Sequence, residues 1–145
     1  MTAEQTSLLV ANLYPVSAAE TDSAREDCRR EIGDRFARDS NSLGQQKLAG
    51  MRTCESTLLC GQIAGPCPDA ETLPPIDKAR ADAATAITTK CTGIDPQDLG
   101  FGLVCPSVYA CGGQETDSLG GLITCLTCVT DGVADELLAL YFPGP

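Results

Sequence analysis

Nine cysteines and no histidine in 145 residues constrain this chain more than any other feature of its sequence. Cytosolic thiols are kept reduced, so a chain this rich in cysteine is typical of an oxidising compartment, where most of its cysteines form disulfides. Without histidine, neither a Ser-His-Asp nor a Cys-His catalytic site can be built. The sequence therefore predicts a secreted, extracellular protein that is held together by disulfides and is not an enzyme.

The net charge and the hydropathy of the chain limit the kinds of partner that the protein can bind. The net charge of −10 disfavours nucleic acid and anionic membranes as binding partners. No apolar run approaches the ~18 residues of a membrane span, so we expect none. The first residues lack the basic and long apolar regions of a signal peptide, so secretion is inferred from the cysteines alone. We expect no cofactor and no metal.

Helical periodicity dominates the sequence, and we predict an all-α domain stapled by disulfides with long irregular loops. An antiparallel pair of helices is expected around 20–54 and 76–91, with a C-terminal helical region, 118–141, packed across them and broken at Gly132. Poor helix formers at 39–44 divide the first of these into a kinked helix or a tight hairpin. Residues 18–145 form the cysteine-rich domain, and residues 1–17 form a separate N-terminal segment.

Two disulfides are predicted in the first part of the domain. Antiparallel packing brings the start of the first helix to the end of the second, which favours a bond between Cys28 and Cys91. Cys60 and Cys67 enclose a loop rich in glycine and proline, and we predict that they pair. Cys54 is then left over, either buried and inert or available for a bond between molecules.

The remaining four cysteines lie in or after the irregular stretch 92–118. Cys105 and Cys111 are expected to pair with Cys125 and Cys128, in an order that the sequence leaves open. Cys125-Leu-Thr-Cys128 lies within an apolar helix with no preceding strand, so structural bridging is favoured over redox chemistry. A zinc site formed by the same four cysteines is disfavoured because Cys105 and Cys111 are six residues apart, wider than the usual ligand spacing.

The order of the cysteine-bearing helices resembles a known pattern over about residues 24–142. It is carried by Cys28, Ile32 and Phe36; by Lys47, Leu48, Arg52 and Cys54; by Cys91 and Gly93; by Gly100–Pro106; and by the Cys-Leu-x-Cys helix that leads to Tyr141. The pattern is similar to cysteine-rich helical domains, often in tandem, of secreted proteins from environmental bacteria. That resemblance implies secretion and a role in interaction, without an established activity.

Two function classes follow. The first is a structural or interaction protein that self-assembles, for example as an extracellular filament subunit, and the alternative is a carrier of a small apolar ligand such as a lipid. Self-assembly would use the apolar chain ends, since apolar termini must be buried somewhere. The N-terminal segment docks either on its own core or on a neighbouring subunit. The expected assembly contacts are Leu8, Leu9, Val10, Leu13, Tyr14, Tyr141 and Phe142.

Overall fold

Four α-helices make up most of residues 23–143, the part of the chain that this computed structural model describes. They are α1 (Ser23–Gly33), α2 (Leu43–Leu59), α3 (Leu73–Lys90) and α4 (Leu119–Tyr141). A π-helical turn, Asp34–Arg38, follows α1, and a 3-10 turn, Pro96–Leu99, precedes a long irregular stretch. Within 23–143 the only β pairing is an isolated bridge between Val104 and Glu115. The prediction of an all-α fold is confirmed.

Local chemistry explains where these helices begin. The hydroxyl of Ser42 accepts a hydrogen bond from the Gln45 backbone N–H, and the hydroxyl of Ser118 accepts one from Gly121. Each serine thereby satisfies one of the N–H groups that the first turn of a helix leaves without an intrahelical partner. α3 instead places two prolines in its first turn, where a missing N–H costs nothing.

Helices α1 and α2 lie end to end along α3 and run antiparallel to it. At one end, the Cα atoms of Cys28 and Cys91 are 5.0 Å apart. At the other end, a methyl group on Gly50 would lie 3.1 Å from Thr72 and 3.7 Å from Ile76. The two segments are therefore a bent, broken helix, and the tight hairpin is wrong.

Helix α4 packs across both α2 and α3, as predicted, and runs parallel to α2. Near its middle, Thr130 lies opposite Gly44, and at its end the ring of Tyr141 lies under the guanidinium of Arg52, 5.4 Å from the ring centroid. The predicted break at Gly132 is wrong, because α4 continues without interruption to Tyr141. No helix within 23–143 is long and apolar enough to cross a bilayer.

The core is built mainly from aliphatic side chains and cysteines. Its largest cluster joins all four helices and the turns between them, and its buried members include Ile32, Phe36, Leu43, Ile76, Ile87, Leu99, Leu122 and Leu126. A smaller cluster joins α2 to the end of α4 through Leu48, Ala134 and Leu138. With few aromatic rings, the core buries modest apolar area, and disulfides supplement it.

Candidate functional site

Four disulfides connect the described part of the chain, and one of them joins distant segments. The bond between Cys28 and Cys91 spans 63 residues and links the first helix to the end of the third, which is the predicted pairing. Both cysteines are fully buried. The bond therefore fixes the antiparallel register of α1 and α3 from within the core.

The second disulfide corrects the sequence prediction. Cys67 pairs with Cys54, and Cys60 is free and exposed. Cys54 lies on the same buried face of α2 as Leu43, which is about three helical turns earlier, and its sulfur faces the loop that carries Cys67. Cys60 follows the last residue of α2, six residues after Cys54, and six residues rotate a helix by ~240°. The leftover thiol is therefore Cys60, and the predicted Cys60–Cys67 bond is wrong.

The third and fourth disulfides fasten one irregular loop to the side of α4. Cys105 pairs with Cys125, and Cys111 pairs with Cys128, with Cα–Cα distances of 5.7 and 5.8 Å. This is the expected grouping of the four cysteines, and the structure supplies their order. Each cysteine of the Cys-x-x-Cys segment binds a different point of the loop, so the motif is structural here. All four sulfurs are used, which overturns the zinc alternative.

Tyr109 adds a noncovalent clamp next to these two bonds. Its ring lies directly on Gly132, where any larger side chain would overlap the Cβ and Cγ atoms of the tyrosine. Its hydroxyl donates a hydrogen bond to the carboxylate of Glu136, one turn further along α4. Gly132, in the middle of α4, thus makes room for the Tyr109 ring and does not break the helix. Sequence periodicity alone does not reveal this.

The loop holds Tyr109 in a conformation that L-residues rarely adopt. Tyr109 and Ala110 have φ values of 51° and 60°, in the left-handed region where a Cβ atom is disfavoured. The hydrogen bond to Glu136 raises the pKa of the Tyr109 phenol, and partial burial and the nearby carboxylate charge act in the same direction. Both effects show that surrounding contacts determine the position of this residue.

A charge cluster ties the same helix to its neighbours. Asp131 binds Lys47 of α2, with Nζ and Oδ1 3.2 Å apart, and also binds the guanidinium of Arg80 on α3. Lys47 also reaches Asp135, at 3.0 Å. Only 12% of the Lys47 side chain is exposed, so solvent screens its charge less than at an open surface. The cluster fixes how α4 sits on α2 and α3.

The end of α4 leaves apolar surface uncovered. Leu140 is 75% exposed and Tyr141 is 59% exposed, although Arg52 covers one face of the tyrosine ring. Phe142 is half-buried and packs against the cluster of Leu48 and neighbouring residues. Of the two predicted C-terminal assembly contacts, Tyr141 is thus available at the surface, whereas Phe142 serves the protein's own core. Leu140 begins the same apolar C-terminal run, which the sequence predicts to be buried on the protein's own core or on a neighbour.

The five predicted N-terminal contacts lie outside the described residues. They are Leu8, Leu9, Val10, Leu13 and Tyr14.

Two clefts bounded by described residues offer little apolar surface. One, of about 260 Å³, lies where the bend between α1 and α2 meets α3 and is lined by Arg35, Asn41, Gln46, Pro75, Lys78, Ala79 and Asp82. In it, Arg35 is paired with Glu31 and Lys78 with Asp82, so both charges already have partners. The other, of about 490 Å³, is an open groove on α2 lined by Ala49, Arg52, Thr53, Ser56 and Thr57.

Residues 23–143 hold no candidate metal site. No group of three or more acidic or cysteine side chains there is placed to hold a metal ion. Comparisons with family models, with curated proteins and with solved structures return no match. The resemblance to cysteine-rich helical domains therefore stays a prediction, and function must be argued from the surfaces described above.

Proposed function

We propose that this protein is a non-enzymatic structural or interaction protein of the extracellular space that assembles with copies of itself. The exposed apolar end of α4, beside a rigid disulfide-stapled body, is the observation that carries the proposal. Leu140 and Tyr141 leave large apolar side chains in water on a helix whose other large apolar residues are buried or half-buried. We take these two neighbouring exposed side chains as the interaction site.

The extracellular setting is supported by the disulfides. Eight of the nine cysteines are paired in the described part of the chain, and such bonds form and persist in oxidising compartments. The staples also hold loops that contain little regular hydrogen bonding. A protein that must keep its shape outside the cell benefits from this arrangement, because its small core contributes only modest stability.

Assembly through one end of a helix constrains the form of the oligomer. If the end of α4 binds a different surface on the next copy, the contact is heterologous, and it produces a filament unless the rotation closes a ring. If it binds the same end of another copy, it produces a symmetric dimer. We favour the filament, because the net charge of −10 keeps free subunits soluble while the apolar ends supply a local contact.

The clefts support assembly over the carrier alternative. A lipid carrier encloses an apolar cavity lined by aliphatic and aromatic side chains. The two clefts bounded by described residues are instead lined largely by charged and polar groups. The absence of histidine and the use of eight cysteines as staples likewise leave few groups for catalysis.

Electron microscopy and light scattering of designed variants test the proposal. All proteins carry Cys60→Ser, so that chance disulfides through the exposed thiol do not imitate assembly. Filaments or large oligomers are expected in the parent and should be lost in Leu140→Glu, which places a charge in the apolar contact. Ala81→Glu, which adds the same charge at an exposed position of α3, is the matched control and should leave assembly intact.

Two results would contradict the proposal. One is a parent protein that stays a monodisperse monomer at high concentration. The other is a monomer that co-purifies with lipid, which would establish the carrier instead.

A further inference from the structure

The loop fastened to α4 contains an unusually long uncharged stretch. Residues 99–114 carry no charged side chain, in a chain where 21% of residues are charged. We call this stretch the uncharged loop. Four of its apolar side chains stay open to water: Leu103 at 59% exposure, Val104 at 56%, and Val108 and Tyr109 at 43% each.

The uncharged loop is held in one conformation, which suits a docking surface. Two disulfides bind it to α4, and the backbone N–H of Cys105 donates to the carbonyl of Gln114 across the single β bridge. It extends along α4 from Cys125 to the hydroxyl contact of Tyr109 with Glu136. These are eleven residues of helix, or ~16 Å. A surface that is already ordered loses little entropy when something binds to it.

The N-terminal segment has the matching chemistry. Residues 1–17 carry a single charged side chain, Glu4, and contain the apolar run 8–14, Leu-Leu-Val-Ala-Asn-Leu-Tyr. Seven extended residues span up to ~24 Å, enough to cover the ~16 Å of the loop. When an uncharged segment packs on an uncharged loop, no unpaired charge is buried, although the rest of the chain is acidic.

The chain enters the described fold close to this loop. α1 begins at Ser23, and its first turns contact the 3-10 turn that leads into the loop. Arg25 lies 3.9 Å from Asp98, and the guanidinium of Arg29 donates to the carbonyl of Leu99 at 3.3 Å. Leu103 is only four residues beyond Leu99, at most ~14 Å along the chain.

The nine residues from 14 to 23 can span up to ~30 Å, which is long enough for the run 8–14 to reach the loop of its own chain. An attached segment also competes at a high effective concentration, which favours it over the same segment of a neighbour.

We propose that residues 8–14 dock on the exposed apolar side chains of the uncharged loop in the same chain. This contact covers Leu103, Val104, Val108 and Tyr109 with a partner that brings no charge. It is separate from the end of α4, and it does not depend on the self-assembly proposed above.

Hydrogen–deuterium exchange of the full chain, followed by mass spectrometry, tests the docking. Amides of residues 8–14 should exchange at least ~10-fold more slowly than in a synthetic peptide of residues 1–17, because docking shields them. The double variant Val104→Asp/Val108→Asp should remove this protection. Leu59→Asp, a change at another highly exposed apolar residue, should retain it. Far-UV circular dichroism verifies that each variant keeps its helices.

A substitution in the N-terminal segment controls for the loss of loop structure that the loop variants could cause. Leu9→Asp leaves the loop intact and should also remove protection of residues 8–14, whereas Gln5→Asp should not. Exchange as fast as in the free peptide, or protection that the loop variants leave unchanged, would overturn the inference. Protection that appears only at high protein concentration, together with a rise in mass, would assign the segment to a neighbouring copy instead. Filament formation is measured independently, so each proposal can fail without the other.

Discussion

Replacing Gly132 by alanine tests whether Tyr109 is seated on α4 as described. In an ordinary helix interior this change stabilises by ~1 kcal/mol, because alanine is the better helix former. Here the new methyl group would overlap the Cβ and Cγ atoms of Tyr109. The tyrosine and its loop would have to move, although two disulfides hold them on either side.

The magnitude follows from three contributions. Overpacking at a fixed contact costs ~1–3 kcal/mol. The displaced ring also loses its hydrogen bond to Glu136, worth ~1 kcal/mol at this exposed position. Against these stands the gain of ~1 kcal/mol in helix propensity. We therefore expect Gly132→Ala to lower the free energy of unfolding by ~1–3 kcal/mol.

Urea denaturation of the oxidised protein, followed by circular dichroism, measures this difference. Gly120→Ala is the matched control, since a methyl group there meets no atom within 4 Å, and it should be neutral or slightly stabilising. In a Tyr109→Gly background both overlapping atoms are gone, and Gly132→Ala should become stabilising by up to ~1 kcal/mol. A Gly132→Ala protein at least as stable as the parent would refute the placement of the Tyr109 ring on this glycine.

Three further predictions concern stability. Replacing both Cys28 and Cys91 by serine should cost ~4 kcal/mol, since their bond closes a loop of 63 residues, and calorimetry should show a clearly lower melting temperature. Thr130→Val should stabilise by ~1 kcal/mol in urea denaturation, because the buried Thr130 hydroxyl has no hydrogen-bond partner within the described residues. The raised pKa of Tyr109 means that its bond to Glu136 stabilises the fold fully below the usual phenol pKa and is lost as pH rises through the raised value. The stability difference between the parent and Tyr109→Phe should therefore shrink in strongly alkaline solution, and an unchanged difference would contradict this account.

Sequence periodicity was sufficient for the parts of the fold that depend on helix faces. The antiparallel pairing and its disulfide follow from two apolar stripes in the sequence: Ala24, Cys28, Ile32 and Phe36 in the first helix, and Ile76, Ala79, Ala83, Ile87 and Cys91 in the second. The same logic, applied to α2, places Cys54 on the buried face with Leu43. The glycine- and proline-rich composition of the loop favoured Cys60 as the partner of Cys67. The helix register favours Cys54, which is the observed partner.

Other features had no signal within the sequence. The order of the two bonds between the loop and α4 depends on the path of the loop, which left-handed residues at Tyr109 and Ala110 determine. The close contact at Gly132 is made by a ring that comes from more than twenty residues earlier in the chain. Whether a glycine breaks a helix or accommodates a neighbouring side chain depends on such long-range contacts. Local helix propensity carries no information about them.

The arrangement of the disulfides also sets how far the protein can be stretched. Ser23 and Pro143 are 120 residues apart, but the Cys28–Cys91 and Cys105–Cys125 bonds remove 63 and 20 of these from the path that carries tension. The 37 residues that remain extend to ~130 Å, whereas the reduced chain would reach ~420 Å. When pulled, the oxidised molecule would thus stop lengthening at about a third of the length that the reduced chain reaches. Beyond that point it would behave as a short, nearly inextensible tether.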